Sequence, residues 1–409
     1  MYHPRSFATL SLAEASTDLC ELLWIVDTSD DEAMSMSRLL KRLGTVVDVA
    51  GRTIDECAEL ISHCEPDGIL GLADSLLEKT AAIAEQLELA FLSSESAHLL
   101  TDKIAQREAM RDAGLEMPLA WPIKLPLEEP AIEQILGQAT FPLVLKPRTG
   151  EASRDTYLAD SGSQLRGYLI ELDTQQGPNR DFVLESYIPD ALDPVGGVDF
   201  AGYVSVESIV SDNVVSHFAV TGRTPMAKPF RETSAFIPAE LSHRNRELAM
   251  ALADQAVRAV KVSIGCVHTE IKFTPEGPRV IEVNGRIGGH VPDTLAAATG
   301  LQILPLAMRI ALGERIVFTS LPTCSSVGYV LHYHAPVGVR RILSVSGLDT
   351  LRKRPGVESV TLNRGPGKLV DWHEGSFGHV FAVSGSLANH GELRQLLHFI
   401  AATVRIDGE

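Results

Sequence analysis

Apolar residues recur along this chain with two periods, and the switches between them mark its parts. ELLWIVDTS reads as a buried strand and DDEAMSMSRLLKRLG as an amphipathic helix that Gly44 ends. TVVDVA, GRTIDECAELISHCEPDG, ILGLAD and SLLEKTAAIAEQLEL repeat the alternation of strand and helix. Strands alternating with helices of this length predict a parallel sheet with helices on its faces. Cys57, Ile61 and Cys64 fall on one helical face, as structural side chains would. The helix DKIAQREAMRDAG follows, with Thr101 as its cap and Gly114 as its stop. FPLVLKP, DFVLESYIP and YVSVESIV read as strands, and RELAMALADQAVRAVKVSIG as an amphipathic helix ended by Gly265. PDTLAAATGLQILPLAMRIALGE reads as helix, turn, helix. From about Leu321 the pattern returns to short strands, closed by the helix HGELRQLLHFIAATVRI. The fold class is therefore α/β and α+β, in several domains.

One stretch, Gly265 to Gly289, alternates twice around a turn. HTEIKF sets His268, Glu270 and Lys272 on one face. TPEGP supplies Pro275, Pro278 and a Gly277 free to take positive φ. RVIEVNG alternates again and sets Val280, Glu282 and Asn284 together. The reading is an antiparallel hairpin. A turn near Glu276 puts Glu270 opposite Glu282 and His268 opposite Asn284. Directly opposed carboxylates destabilise a sheet, and a cation between them removes the objection. Two carboxylates and an amide suit Mg²⁺, with Mn²⁺ the alternative. Arg286 follows, then Gly288 and Gly289, whose backbone N–H groups can approach an anion. The competing reading is a hairpin whose charges face water.

At 409 residues the chain exceeds one ordinary core, and two or three domains are expected. A net charge of −17 argues against a general nucleic-acid binder, yet leaves room for a nucleotide met by a few lysines and a metal. No apolar run reaches the roughly 18 residues of a membrane span. The N-terminal residues lack the basic-then-apolar order of a signal peptide. Five cysteines without a C-x-x-C pair read as reduced thiols with no zinc site, which suits a cytoplasmic protein. His332 and His334 share a strand face, but two histidines without a third ligand read as structural. There is no G-x-G-x-x-G after the first strand, RGPGK lacks the P-loop spacing, and HEGSFGH is not H-E-x-x-H.

Two lysines sit where local structure alone does not call for them. Lys103 lies in the first turn of its helix, against the macrodipole. Lys146 stands where the apolar strand FPLVLKP emerges, well placed to meet a phosphate.

On the ending Glu282-x-Asn284-x-Arg286 the hairpin resembles that of the ATP-grasp ligases, and the likeness extends from about Thr101 to the C-terminus. Within that superfamily the chain is most similar to the L-amino acid ligases, which join two amino acids through an acyl-phosphate. The resemblance implies a Rossmann-like domain over 1–100, an ATP-grasp domain of two α+β subdomains over 101–320 with a hinge near 185–190, and a small β-rich domain over 321–409. It implies ATP and Mg²⁺ as cofactors, with Glu270, Glu282 and Asn284 on the metal. Lys103 and Lys146 would meet ATP phosphates; Glu185, Tyr187 and Ile188 would meet adenine, with Glu207 a candidate for ribose. The phosphate-covering loop, RTGEASRDT, keeps Gly150 and Ser153 but carries Glu151, Ala152 and Asp155 where small residues are usual. Arg286, with the Gly288 and Gly289 N–H groups, would stabilise the acyl-phosphate and the tetrahedral intermediate. Glu232, beside Arg231, resembles a glutamate that recognises a substrate amino group, with Ala235 in place of the usual histidine; a solvent-exposed Arg231–Glu232 ion pair is the alternative. His268 would orient a ligand or steady Asn284, and His290 stands where a glycine is usual and would bear on substrate choice. The implied partners are a small carboxylate and an amine, with no nucleic acid or membrane, in a homodimer. Two other readings stay open: a bicarbonate-activating carboxylase, and a degenerate ATP-binding regulatory module.

Overall fold

A computed structural model describes residues 1–175, 180–191 and 199–409. Near the N-terminus β1 (Leu23–Val26) pairs with β2 (Thr45–Asp48) in parallel. ILGLAD, read as a third strand, makes no ladder. The first residues of the chain lie there instead, with Tyr2 N donating to Ile25 O at 2.9 Å and the Met1 amino group reaching Leu70 O. Cys57 and Ile61 are buried as their spacing predicts, whereas Cys64 lies beyond the end of the helix Ile54–Ser62 and is exposed. The helix Lys103–Asp112 is capped one residue later than expected. Thr101 ends the preceding helix, and the Asp102 side chain accepts from Ile104 N and Ala105 N.

The next sheet contains β3 (Ala120–Lys124), β4 (Leu143–Pro147), β5 (Tyr157–Ala159) and β6 (Asp181–Ser186), in the order β3-β6-β4-β5. Eight strands form the largest sheet: β7 (Tyr203–Ser211), β8 (Val214–Gly222), β9 (Ser234–Ile237), β10 (Gly265–Thr274), β11 (Gly277–Asn284), β12 (Val327–His334), β14 (Val357–Leu362) and β15 (His379–Leu387). Their order is β11-β10-β7-β8-β9-β12-β15-β14, so the C-terminal strands continue the sheet that holds the hairpin. β13 (Ile342–Ser346) and β16 (Arg405–Gly408) pair separately.

Alternation along β7 and β10 gives the large sheet two unlike faces. Val204, Val206, Ile271 and Phe273 pack under the helix His243–Ala259 through Ala249 and Ala253. The opposite face carries Ser205 and Glu207 beside His268, Glu270 and Lys272, because these residues are register partners or lie two apart. Helices Val291–Thr299 and Ile303–Ala311 join Tyr2, Leu12 and Trp24 in one core. Among the described residues no single helix is long and apolar enough to cross a membrane.

Gly328 sets how closely the helix Val291–Thr299 lies on β12. A Cβ there would sit 2.2 Å from Thr294 O and 2.9 Å from Ala297 Cβ. Gly328→Ala must move a helix backbone, and we expect a loss of about 1–3 kcal/mol in urea unfolding. An unchanged midpoint would show that this contact yields freely.

Candidate active site

The hairpin has the register that its pattern predicts: His268 opposite Asn284 and Glu270 opposite Glu282. A bulge follows, since Ile271 pairs with Val280 and leaves Ile281 as the extra residue. Neither carboxylate simply faces water, with the Glu270 side chain 25% exposed and that of Glu282 18%. Cations compensate them. Lys103 Nζ lies 3.2 Å from Glu282 and donates to Gly150 O at 2.9 Å. Burial pushes the Glu282 carboxyl up, but Lys103 and then Lys146 more than offset this and hold it below its ordinary value.

His268 serves the other carboxylate. Its Nδ1 lies 2.9 Å from Glu207 and its Nε2 3.5 Å from Glu270. Burial alone would push this imidazole down, yet the Glu207 carboxylate and its hydrogen bond raise it to about 9. Glu207, 1% exposed, also accepts from the hydroxyls of Ser205 at 2.7 Å and Thr221 at 2.8 Å. It is thus an internal anchor for His268, and its carboxylate is not free for a ribose.

The helix Lys103–Asp112 joins the two sheets. It buries Lys103, Gln106, Arg107 and Met110, spaced as a core stripe but mostly polar. Gln106 pairs with the free edge of β11, donating to Val283 O at 2.8 Å and accepting from Val283 N at 3.0 Å. Arg107 donates to Ile281 O at 2.6 Å and to Glu185 Oε1 at 2.9 Å. Lys146 Nζ meets the other Glu185 oxygen at 2.8 Å. Burial pushes Glu185 up, but these two cations hold it at about 2. Glu185 also lies on β6, flanked by β3 and β4. That placement makes the Glu185 carboxylate a joint between the sheets. Tyr187 and Ile188 follow it, with Tyr187 N donating to Pro142 O at 3.2 Å. Lys272 Nζ donates to Ile188 O at 2.8 Å and to the Tyr187 hydroxyl at 3.0 Å, and pairs with Asp190 at 2.9 Å.

Arg286 is gripped from a distant part of the chain. Its guanidinium meets Asp74 Oδ2 at 2.7 and 2.8 Å. Burial raises the Asp74 carboxyl to about 6 against the pull of Arg286, while its Oδ1 stays buried without a hydrogen-bond partner among the described residues. Gly288 lets the chain pass close to the site, since a Cβ would lie 2.6 Å from His268 Nδ1; Gly289 is open. The loop 150–155 holds Ser153 with Ala152 and Asp155 at positive φ. Ala152 O accepts from Ser376 N at 2.8 Å and Asp155 N donates to His373 O at 3.2 Å, which docks this loop on the segment 372–378. Ser376 Oγ also accepts from Glu232 N at 3.0 Å. Glu232 pairs with Arg223 at 3.3 Å, while Arg231 is buried and bonds to backbone carbonyls, so no exposed Arg231–Glu232 pair exists.

Lys103, Lys146, Glu270, Glu282, Asn284, His268 and Arg286 thus share one charged region. Ser153 lies on the loop beside it, and Tyr187 and Ile188 lie past the end of β6. Sequence reasoning missed Asp74, Gln106, Arg107 and Arg223. The signal for Gln106 and Arg107 was present, as polar residues three and four after Lys103 on the buried stripe. The donor set fits a divalent cation, because opposed, part-buried carboxylates with a buried amide are otherwise unfavourable in one hairpin.

No family model matches the sequence. The chain has the ATP-grasp multidomain fold, as its likeness to solved structures shows. Its whole length matches an L-amino acid ligase from Bacillus licheniformis, with TM-score 0.79, 18% identity and 97% of that chain covered. The biotin carboxylase domain of a Hydrogenobacter thermophilus 2-oxoglutarate carboxylase, solved with MgADP and bicarbonate, matches 98% of this chain and 88% of its own at TM-score 0.65 and 16% identity. In sequence the chain is 24% identical to an uncharacterized protein of Sinorhizobium fredii over 341 residues, 81% of this chain and 67% of that one. It is 28% identical to carnosine synthase 1 of Gallus gallus over 46% of this chain, and 26% identical to that of Homo sapiens over 63%. The matches span only 20% and 32% of those two synthases.

Glu185→Gln tests the joint between the sheets. It leaves Arg107 and Lys146 buried without their carboxylate, and we expect a cost of about 3–5 kcal/mol near neutral pH. Because the folded carboxyl lies below its ordinary 4.5, the stabilisation is full above that value and is lost as pH falls toward 2. Urea midpoints of wild type and variant should therefore converge in acid; a constant gap would contradict the assignment.

Proposed function

We propose that this chain is an ATP-dependent ligase that joins a carboxylate to an amine, in its natural reaction two amino acids. The observation that carries the reading is the Glu270–Glu282 pair, opposed across one hairpin with Lys103 beside it and Arg286 just beyond. In the reading, Glu270, Glu282 and Asn284 hold Mg²⁺, which would neutralise phosphate charge and align the nucleotide. Lys103 and Lys146 face the phosphates, with Ser153 on the covering loop and Tyr187 and Ile188 at the base. A substrate carboxylate oxygen takes the γ-phosphoryl group and ADP leaves. The amine then attacks the acyl carbon and phosphate departs. Arg286 and the N–H groups of Gly288 and Gly289 meet the oxyanion charge that develops. Asp74 fixes the Arg286 fork in place, and Glu232 receives a substrate amino group. The likeness to an L-amino acid ligase over the full chain, and to carnosine synthases over part of it, supports this reading over a carboxylase.

The test is phosphate release with Mg-ATP over a matrix of amino acids, singly and in pairs, with Glu282→Gln as the blank. Release that needs one pair, with a condensed product by mass, is the expected result. Arg286→Ala should then lower kcat by about 10²–10³-fold. Release that needs bicarbonate and no amino acid would make the protein a carboxylase. Nucleotide binding with no release on any acceptor would make it a regulatory module.

A further inference from the structure

Four imidazoles gather where the helix Val291–Thr299 begins over β12 and β15. Ring centroids of His290 and His332 are 4.4 Å apart, those of His332 and His379 4.5 Å, and those of His334 and His379 6.2 Å. His290, His332 and His379 line an open cavity of about 240 Å³ together with Asp293, Thr361 and Asn363. His332 is 5% exposed, and its Nε2 is buried with no hydrogen-bond partner among the described residues. A polar atom buried in that state is one that the fold by itself does not satisfy.

The groups around the cavity are unbalanced in charge. The helix contributes His290 and Asp293, β12 contributes His332 and His334, and β15 contributes His379. Arg231 and Glu232 precede β9, Arg223 follows β8, and Arg364 acts on His379. Of the three acids, Glu232 is already paired with Arg223 at 3.3 Å and Glu374 with Arg364 at 2.5 Å, and burial pushes the Asp293 carboxyl up. Arg231 is 5% exposed and meets no carboxylate among the described residues; it donates to Lys228 O at 2.8 Å and Ala335 O at 3.0 Å. Burial also holds the imidazoles below their ordinary value, His290 and His334 at about 4, so they stand neutral at pH 7. Among the described residues no three His, Cys, Asp or Glu side chains are placed to hold a metal ion. One guanidinium without a carboxylate, beside a buried imidazole nitrogen that the fold leaves unsatisfied, favours an organic anion that the imidazoles can meet with hydrogen bonds.

We propose that this cavity holds a carboxylate of an amino-acid substrate, distinct from the carboxylate that is activated, with His332 as its partner and His290 and His379 flanking it. Its place in the reaction rests on the ligase reading, while its chemistry as a carboxylate site does not. The cavity adjoins that site, since His290 follows Arg286 by four residues and the charge of Glu232 is felt by both His268 and His290. An arriving carboxylate supplies the opposite charge that the imidazoles lack, so binding takes up a proton and weakens as pH rises.

The experiment is NMR of the wild-type chain carrying ¹⁵N-labelled histidine, titrated with the proteinogenic L-amino acids and with their α-amides. Each titration is run first alone, then with Mg²⁺ and a non-hydrolysable ATP analogue. His332→Asn and His379→Asn serve only to assign signals. The expected result is that at least one acid moves the His332 and His290 signals toward the imidazolium position. Its affinity should exceed that of the amide by about tenfold or more and should tighten as pH falls. Amides that shift the signals equally, or acids that shift none, would overturn the proposal. Turnover is not needed for the readout, so a chain that binds carboxylates here but joins no pair would sink the ligase reading alone. A chain that joins a pair while its imidazoles ignore carboxylates would sink only this one.

Discussion

Two carboxylates face each other across one hairpin, and much of the surrounding structure exists to make that tolerable. Glu270 and Glu282 are register partners, an arrangement that costs a sheet stability unless positive charge intervenes. The protein brings Lys103 to one and the Glu207-bound His268 to the other. Each cation is itself buried and must be held, which is why the compensation spreads outward. Lys103 rides on a helix whose next buried residues, Gln106 and Arg107, hydrogen-bond the edge of β11. Arg107 and Lys146 share Glu185, so the four-stranded sheet is tied electrostatically to the hairpin. A divalent cation with its nucleotide, as proposed, would add positive charge to both carboxylates at once.

The hairpin was legible because every contact that defines it is local. Alternation set the faces, the Pro-Gly turn set the register, and opposed acids flagged the chemistry. Lys103 and Lys146 stood out by their positions on helix and strand. The remainder depended on pairs far apart in the chain. Asp74 meets Arg286 across 212 residues, and Arg107 meets Glu185 across 78. No periodicity encodes such pairs. The strand that carries Glu185 was legible, but the ion pairs of its carboxylate with Arg107 and Lys146 were not. ILGLAD misled because its apolar composition suits a strand, while the hydrogen bond to Ile25 O is made by Tyr2 at the start of the chain.

The C-terminal strands bring a second consequence. Because β12, β15 and β14 extend the hairpin's own sheet, the segment 372–378 reaches back over the loop 150–155 and to Glu232. Gly375 takes φ +63, and a Cβ there would lie 2.1 Å from Ala152 O, so the approach requires glycine. The loop 150–155, poorer in glycine than expected, is thus shaped by the segment 372–378 rather than by its own freedom. The histidine cluster on β12 and β15 and the lysines beside the hairpin belong to one connected assembly.

Mn²⁺ binding followed by electron paramagnetic resonance tests most directly whether the opposed carboxylates are a metal–nucleotide site. With a non-hydrolysable ATP analogue present, wild type should bind Mn²⁺ far more tightly than without it, and Glu270→Gln with Glu282→Gln should abolish the difference. Mn²⁺ binding that is indifferent to the nucleotide, or that survives loss of both carboxylates, would contradict the account.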